Sequence, residues 1–231
     1  MITILGRLTS GNVMKPMWVL EELGMTYERV DIGGAFGGND QPEYLEKNPM
    51  GLVPTLDDDG FIMWESNAIT RYLAEKYARG TLYPEDPQVR ATADTWMDWK
   101  LTAINAMMRP IFWGLVRTPE TERNYTEIDA AIQQGIKLWA MLDKHLGGRQ
   151  YIAGDVLTMG DIPLGPQLHR WMMLVENRPA MPNLDAWYQR LTERPAYQKA
   201  FTPALAANLA ERAVAGMGEK EGKKEGLFGM F

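Results

Sequence analysis

The sequence predicts an α/β domain at the N-terminus followed by an all-helical domain. Three observations carry this. Strand-like and helical runs alternate through the first part of the chain, and every later periodic segment repeats its apolar residues at spacings of three and four. Between them lies RGTLYPEDPQ, residues 79–88, with two prolines, a glycine and few apolar side chains. The expected division is an α/β domain over 1–80, a linker over 81–88, a helical domain over 89–210 and a mobile tail over 211–231, where charge and glycine dominate.

Residues 2–5 form a short apolar run that ends at Gly6, which suits a buried strand. Ser10 and Asn12 are capping types, Val13, Met17 and Leu20 share a helical face, and Gly24 is a natural stop. Pro16 is tolerable only near a helix start, so the first helix is placed at about 13–23. TYERVDI, residues 26–32, alternates as a second strand, parallel to the first through a right-handed crossover. GGAFGGND then reads as a loop, and its glycines, with no helix directly after them, are weak evidence for a phosphate cradle. A short helix near PEYLEK precedes strands at 53–57 and 61–64, joined by a turn at Asp59 and Gly60. Ser66 then caps a helix in which Ile69, Tyr72, Leu73 and Tyr77 recur at helical spacing. The order is βαβαββα. Helices follow at 89–116, 124–146, 159–176 and 183–193. In LTMGDI, Thr158 and Asp161 form a capping box with Leu157 and Ile162 as its staple, a folding role rather than a chemical one.

At 231 residues and 45% hydrophobic content there is ample material for buried cores. The net charge of −6 argues against nucleic acid as the main partner. The absence of cysteine excludes disulfides, thiolate metal sites and a cysteine nucleophile, so any thiol chemistry needs a thiol supplied by a substrate. The start MITILGRLTSGN lacks the pattern of a signal peptide, and no run of about 18 apolar residues spans a bilayer, so a cytoplasmic location without membrane association is expected. Neither His145 nor His169 has the sequence partners of a triad or a metal site, and no metal is expected.

The chemistry concentrates in NPMGLVPTLDDDGFIMWESNAIT, residues 48–70. A proline in a strand marks an edge or bulge when the preceding bond is trans. If the Val53–Pro54 bond is cis, Val53 instead presents its N–H and C=O outward for an extended peptide to pair with. A helix N-terminus at Ser66 favours a carboxylate, and Glu65 beside it can pair with an amine. Read blandly, Ser66 is an ordinary cap and Glu65 an ordinary first-turn acid.

NPMGLVPTL together with ESNAITRYL resembles the glutathione transferase superfamily, and the resemblance covers nearly the whole chain, including LYPEDP, the helical second half and LTMGD. It implies a thioredoxin-like first domain, an all-α second domain and glutathione as substrate. By position, Val53, the residue before a cis Pro54, would pair with the cysteinyl backbone of glutathione, while Glu65 and Ser66 would hold its γ-glutamyl end. TSGNVMK, residues 9–15, is similar to the S/T-P-N-x-x-K pattern of the nu class, which implies Asn12 and Ser10 as stabilisers of the thiolate, with Thr9 in reserve. Read blandly, both merely cap the first helix. Gly11 stands where the pattern has proline, and Leu52 where many relatives have Lys or Gln, which leaves the glycine carboxylate to Asn39 or Gln41. The family's apolar electrophile pocket would draw on Met108, Phe112, Trp113 and Arg117, with Trp171 and Met172 as a second wall. The implied activity is conjugation of glutathione to an electrophile or its use to reduce a peroxide or disulfide, the nu-like residues favouring reduction; a non-catalytic binding or regulatory protein of the same fold is the alternative. The resemblance also implies a homodimer.

Overall fold

The computed structural model describes residues 1–201, so the tail expected over 211–231 and the end of the expected helical domain lie outside the described residues. Two compact units form, one of Met1–Tyr77 with the described residues from 195 on, the other of Ala78–Arg194.

The first unit contains β1 (Ile2–Leu5), α1 (Gly11–Glu22), β2 (Tyr27–Val30), a 3-10 turn (Gly34–Phe36), α2 (Pro42–Leu45), β3 (Thr55–Asp58), β4 (Phe61–Trp64) and α3 (Ser66–Tyr77). This is the expected βαβαββα order. The strands make one sheet in the order β2-β1-β3-β4, with β1 parallel to β2 and the other pairs antiparallel. At the hairpin Asp59 and Gly60 both take positive φ, 57° and 94°, as a tight two-residue turn requires. Ile4 and Leu56 from the sheet, Val13 and Leu20 from α1, and Ile69 and Leu73 from α3 are all buried, and α1 packs against α3. Trp18 on α1 meets the edges of Tyr197 and Phe201 at 5.1 and 5.6 Å, which ties residues 195–201 to this unit.

Two starts differ from expectation. Helix α1 begins at Gly11 rather than 13, because the carbonyl of Ser10 already accepts from the N–H groups of Val13 and Met14, both at 3.0 Å. Strand β3 begins at Thr55 rather than 53, since Pro54 has no N–H to donate to the ladder.

The second unit contains α4 (Pro87–Trp99), α5 (Asn105–Phe112), α6 (Tyr125–Leu146), α7 (Leu164–Leu174) and α8 (Pro182–Thr192). The single helix expected over 89–116 is instead divided by π-helical segments at Lys100–Ile104 and Trp113–Arg117. Asp86 caps α4, accepting from the N–H groups of Gln88 and Val89, and Asn124 caps α6. The helix expected from 159 starts at Leu164, because Asp161 acts as a hub rather than a simple box. Its Oδ1 accepts from Ile152 N and Trp187 Nε1 at 3.0 and 2.9 Å, while Oδ2 accepts from Thr158 N and Oγ1 at 2.9 and 3.2 Å. Burial pushes this carboxyl up to about 6 even with four donors around it. Leu157 and Ile162, the expected staple, are both buried.

Candidate functional site

The Val53–Pro54 bond is cis. Its two flanks are clamped from the side of α2. Tyr44 Oη donates to Leu52 O at 2.6 Å and lies 2.9 Å from Thr55 Oγ1, while Asn48 Nδ2 donates to the same two oxygens at 2.7 and 3.1 Å. Gly6 makes room for this bend, since a Cβ there would lie 2.5 Å from Val13 Cγ2 and 3.2 Å from Val53 Cβ. Val53 itself is half-buried, and among the described residues neither its N–H nor its C=O has a hydrogen-bond partner. A backbone donor and acceptor are thus held side by side in a fixed bend, the arrangement an extended peptide pairs with.

At the start of α3, Glu65 takes φ 70° and its carbonyl accepts from Ile69 N at 2.9 Å. Glu65 therefore occupies the N-cap and Ser66 is the first helical residue, which corrects the reading of Ser66 as the cap. The Ser66 hydroxyl has another task. It accepts from Nζ of Lys15 at 2.8 Å, and the same ammonium donates to Asn67 Oδ1 at 2.9 Å. Lys15 is 1% exposed. Among the described residues the hydroxyl proton of Ser66 and the exposed carboxylate of Glu65 have no partner. This corner offers a donor hydroxyl, the positive end of a helix and a carboxylate, which together match a group bearing both a carboxylate and an amine.

At the start of α1, Ser10 holds the N-cap position but its side chain makes no capping bond, so the plain capping reading fails for it. Thr9 and Ser10 are buried and Asn12 is half-buried. Among the described residues none of the three side chains has a hydrogen-bond partner. Three neutral donors stand beside the positive end of a helix, a setting that favours an anion such as a thiolate.

The remaining expected residues fall into different environments. Asn39 Nδ2 donates to Gly51 O at 2.8 Å, and Gln41 Nε2 to Asp40 Oδ1 at 2.9 Å. In the second unit Trp171 is fully buried against Gly135 and Trp139, and Met108 is 2% exposed, so both belong to the core rather than to a wall. Phe112, Trp113 and Met172 are half-buried and Arg117 is exposed. The Phe112 ring lies 4.5 Å from the guanidinium of Arg170 and 5.9 Å from that of Arg117. His169 Nδ1 lies 2.5 Å from Tyr188 Oη, and burial with the charge of Arg170 pushes the imidazole down to about 4. His145 Nε2 lies 2.8 Å from Ile152 O. Among the described residues no three His, Asp or Glu side chains are grouped to hold a metal ion, and no helix is long and apolar enough to cross a membrane.

Sequence reasoning missed Tyr44, Asn48 and Lys15. Lys15 left a signal: a lysine in the middle of a helix whose residues 13–20 are otherwise apolar must be paired to be buried. Tyr44 and Asn48 left none, because their bonds depend on how the chain folds back onto 52–55.

Comparison with known proteins agrees with this geometry. The family model described as "Glutathione S-transferase, N-terminal domain" matches residues 2–75, and that of the C-terminal domain matches residues 103–195. Glutathione S-transferase GstB of Escherichia coli K12 is 43% identical over 201 residues, 86% of this chain and 97% of its own length. A theta class glutathione S-transferase from Xanthomonas axonopodis pv. citri, crystallised with glutathione bound, superposes with TM-score 0.82 at 49% identity, covering 86% of this chain and 96% of that one. Glutathione transferase E6 of Drosophila melanogaster superposes with TM-score 0.78 at 31% identity, covering 93% and 97%. With its sheet order, its clamped bend at Val53 and relatives of this closeness along most of its length, the chain belongs to the glutathione S-transferase superfamily.

Proposed function

We propose that the family's reaction, joining the thiol of glutathione to an electrophilic carbon, runs here on a tripeptide held at three places in the first unit. The cysteinyl N–H and C=O pair with the C=O and N–H of Val53. The γ-glutamyl carboxylate takes the Ser66 hydroxyl and the N-terminus of α3, and its amine takes the Glu65 carboxylate. The sulfur lies at the start of α1, where Asn12 and Ser10, with Thr9 in reserve, donate to the thiolate. The thiolate pair then forms the carbon–sulfur bond as the leaving group departs with its own pair. The observation that carries the reading is that among the described residues Val53, Ser66 and Glu65 all keep unpartnered groups of the polarity glutathione needs. The glutathione-bound theta class relative supports the substrate.

The glycine carboxylate falls to Asn39 or Gln41, Asn39 using the amide hydrogen not spent on Gly51. The electrophile is received by the helical unit at Phe112, Trp113 and Met172, with Arg117 as an anion contact. We infer a cytoplasmic homodimer by analogy with the family. Conjugation is the activity the comparisons support, and they do not support a non-catalytic binding protein. Reduction of a peroxide or disulfide rests on the likeness of residues 9–15 to the nu class.

The test is the thiolate absorbance of bound glutathione against pH in wild type, Asn12→Ala, Ser10→Ala and Thr9→Val, with turnover of an aryl halide, a hydroperoxide and a disulfide measured beside it. A free thiol near pKa 8.5 is mostly protonated at pH 7. Losing the main donor should raise the bound thiol's pKa by about one unit, a tenfold fall in the ratio of thiolate to thiol. An unchanged titration in all three variants would show that the thiolate is stabilised elsewhere.

A further inference from the structure

The ammonium of Lys15 lies at the back of the Ser66 hydroxyl, and no step proposed above uses it. We infer that Lys15 is a positioning residue for glutathione: it fixes Ser66 as a donor and places a buried positive charge behind the carboxylate of the γ-glutamyl group. This rests on the reading that Ser66 grips that carboxylate.

Four observations support it. Lys15 projects from α1 and reaches Ser66 and Asn67 on α3, at 2.8 and 2.9 Å, so it joins the helix that begins at the proposed thiol site to the one that begins at the proposed carboxylate site. It is 1% exposed within a stretch of α1 that is otherwise apolar and buried. A buried ammonium is costly, and an apolar residue of similar volume often serves packing as well or better, so packing alone does not account for a lysine here. An ammonium has hydrogens only, so Ser66 Oγ must accept from it, and the serine's own proton must point to another acceptor.

The consequence is electrostatic as well as geometric. A hydroxyl that accepts a charge-assisted bond becomes a stronger donor along the same chain of bonds. A carboxylate seated on Ser66 would lie roughly 5 Å from Nζ, two hydrogen bonds away, in surroundings shielded from water. A serine alone at a helix start would bind the carboxylate without this charge. The chain uses Lys15 to make the γ-glutamyl carboxylate, rather than the tripeptide backbone, the feature it discriminates.

The experiment compares the Kd of glutathione with that of 4-aminobutyryl-cysteinyl-glycine, which lacks only the γ-glutamyl carboxylate. It is run in wild type, Lys15→Met, Ser66→Ala and the double variant. Wild type should prefer glutathione strongly, Lys15→Met should lose about tenfold of that preference with the analogue's own affinity unchanged, and the double variant should lose less than the two single losses combined. Full preference in Lys15→Met with loss in Ser66→Ala would overturn the role of Lys15 and spare that of Ser66. Full preference in Ser66→Ala would instead overturn the reading of the carboxylate site on which it rests. Should Lys15→Met fail to fold, the Lys15 Nζ resonance of the wild-type protein decides: glutathione should shift it and slow its hydrogen exchange while the analogue does not, and an equal response to both would overturn the proposal.

Discussion

Lys15 Nζ donates to Ser66 Oγ at 2.8 Å, which commits the serine oxygen as an acceptor and leaves its proton for a ligand. The usual reading of a serine at a helix start is that it bonds the helix's own backbone; here Glu65 holds the N-cap position and the serine hydroxyl bonds Lys15 instead. Ser66→Ala should therefore act on binding and leave the fold intact. A hydrogen bond to a charged group contributes about 1.5–3 kcal/mol, so KM for glutathione should rise about tenfold to a hundredfold with kcat little changed. Steady-state kinetics check this, and a fall in kcat at constant KM would contradict it.

Glu65 sits at φ 70°, a region that costs a residue with a Cβ about 1–2 kcal/mol. Such strain is kept where a side chain must point in one direction. Glu65→Gly relieves it but frees the unfolded chain, so the net gain should be about 0.5–1 kcal/mol, seen as a rise of about 2 °C in Tm. The same change should weaken glutathione binding at least tenfold. Calorimetry and a binding titration on one sample test the opposed signs; equal affinity would remove Glu65 from the site.

His169 titrates near 4 in the folded chain because burial, and then the charge of Arg170, disfavour its cation. An unfolded histidine titrates near 6.5, so the unfolded state takes up the proton first as the pH falls. Stability from this residue is thus full above about 6.5 and is lost progressively towards 4, by an amount on the order of 3 kcal/mol. Asp161, raised to about 6, works in the opposite sense over nearly the same range, since there the folded state takes the proton first. His169→Gln removes the loss and leaves the Asp161 gain in place, so the difference in urea midpoint between pH 5 and pH 7.5 should move towards greater stability at pH 5 in the variant than in wild type. An equal difference would show that His169 is protonated inside the fold.

Gly135 lies on α6 with Trp171 across it, and a Cβ there would be 2.4 Å from Trp171 Cζ3 and 2.9 Å from Met107 Sδ. Alanine in a helix normally gains about 1 kcal/mol over glycine. Overpacking against an indole that is itself fully buried costs about 1–3 kcal/mol, and should win. Gly135→Ala should lower the urea midpoint, and a rise would mean that Trp171 moves aside freely.

Much of this was legible in the sequence because it depends on local rules. Alternation, helical spacing and turn residues place β1, β2, β4 and α3 within a few positions, and the run from Asn48 to Thr70 points to the bend and the acid beside it. What was not legible depends on contacts between distant segments. The task of Ser66 is set by Lys15, 51 positions away in the chain, and a serine before an apolar helix looks the same whether it caps or binds. Trp171 and Met108 could not be told from pocket residues, since a Trp or Met at helical spacing serves a core or a wall equally well. The π segments on either side of α5 were invisible because periodicity assumes an unbroken α-helix.

In the proposed complex Val53 pairs its main chain with the cysteinyl residue of glutathione while Ser66 and Glu65 hold the other end. A crystal structure of the glutathione complex measures this directly. Two antiparallel hydrogen bonds of about 2.9 Å are expected between Val53 and the cysteinyl N–H and C=O, with the γ-glutamyl carboxylate on Ser66 Oγ. Glutathione bound with the Val53 groups unpaired, or with its γ-glutamyl end away from α3, would contradict it.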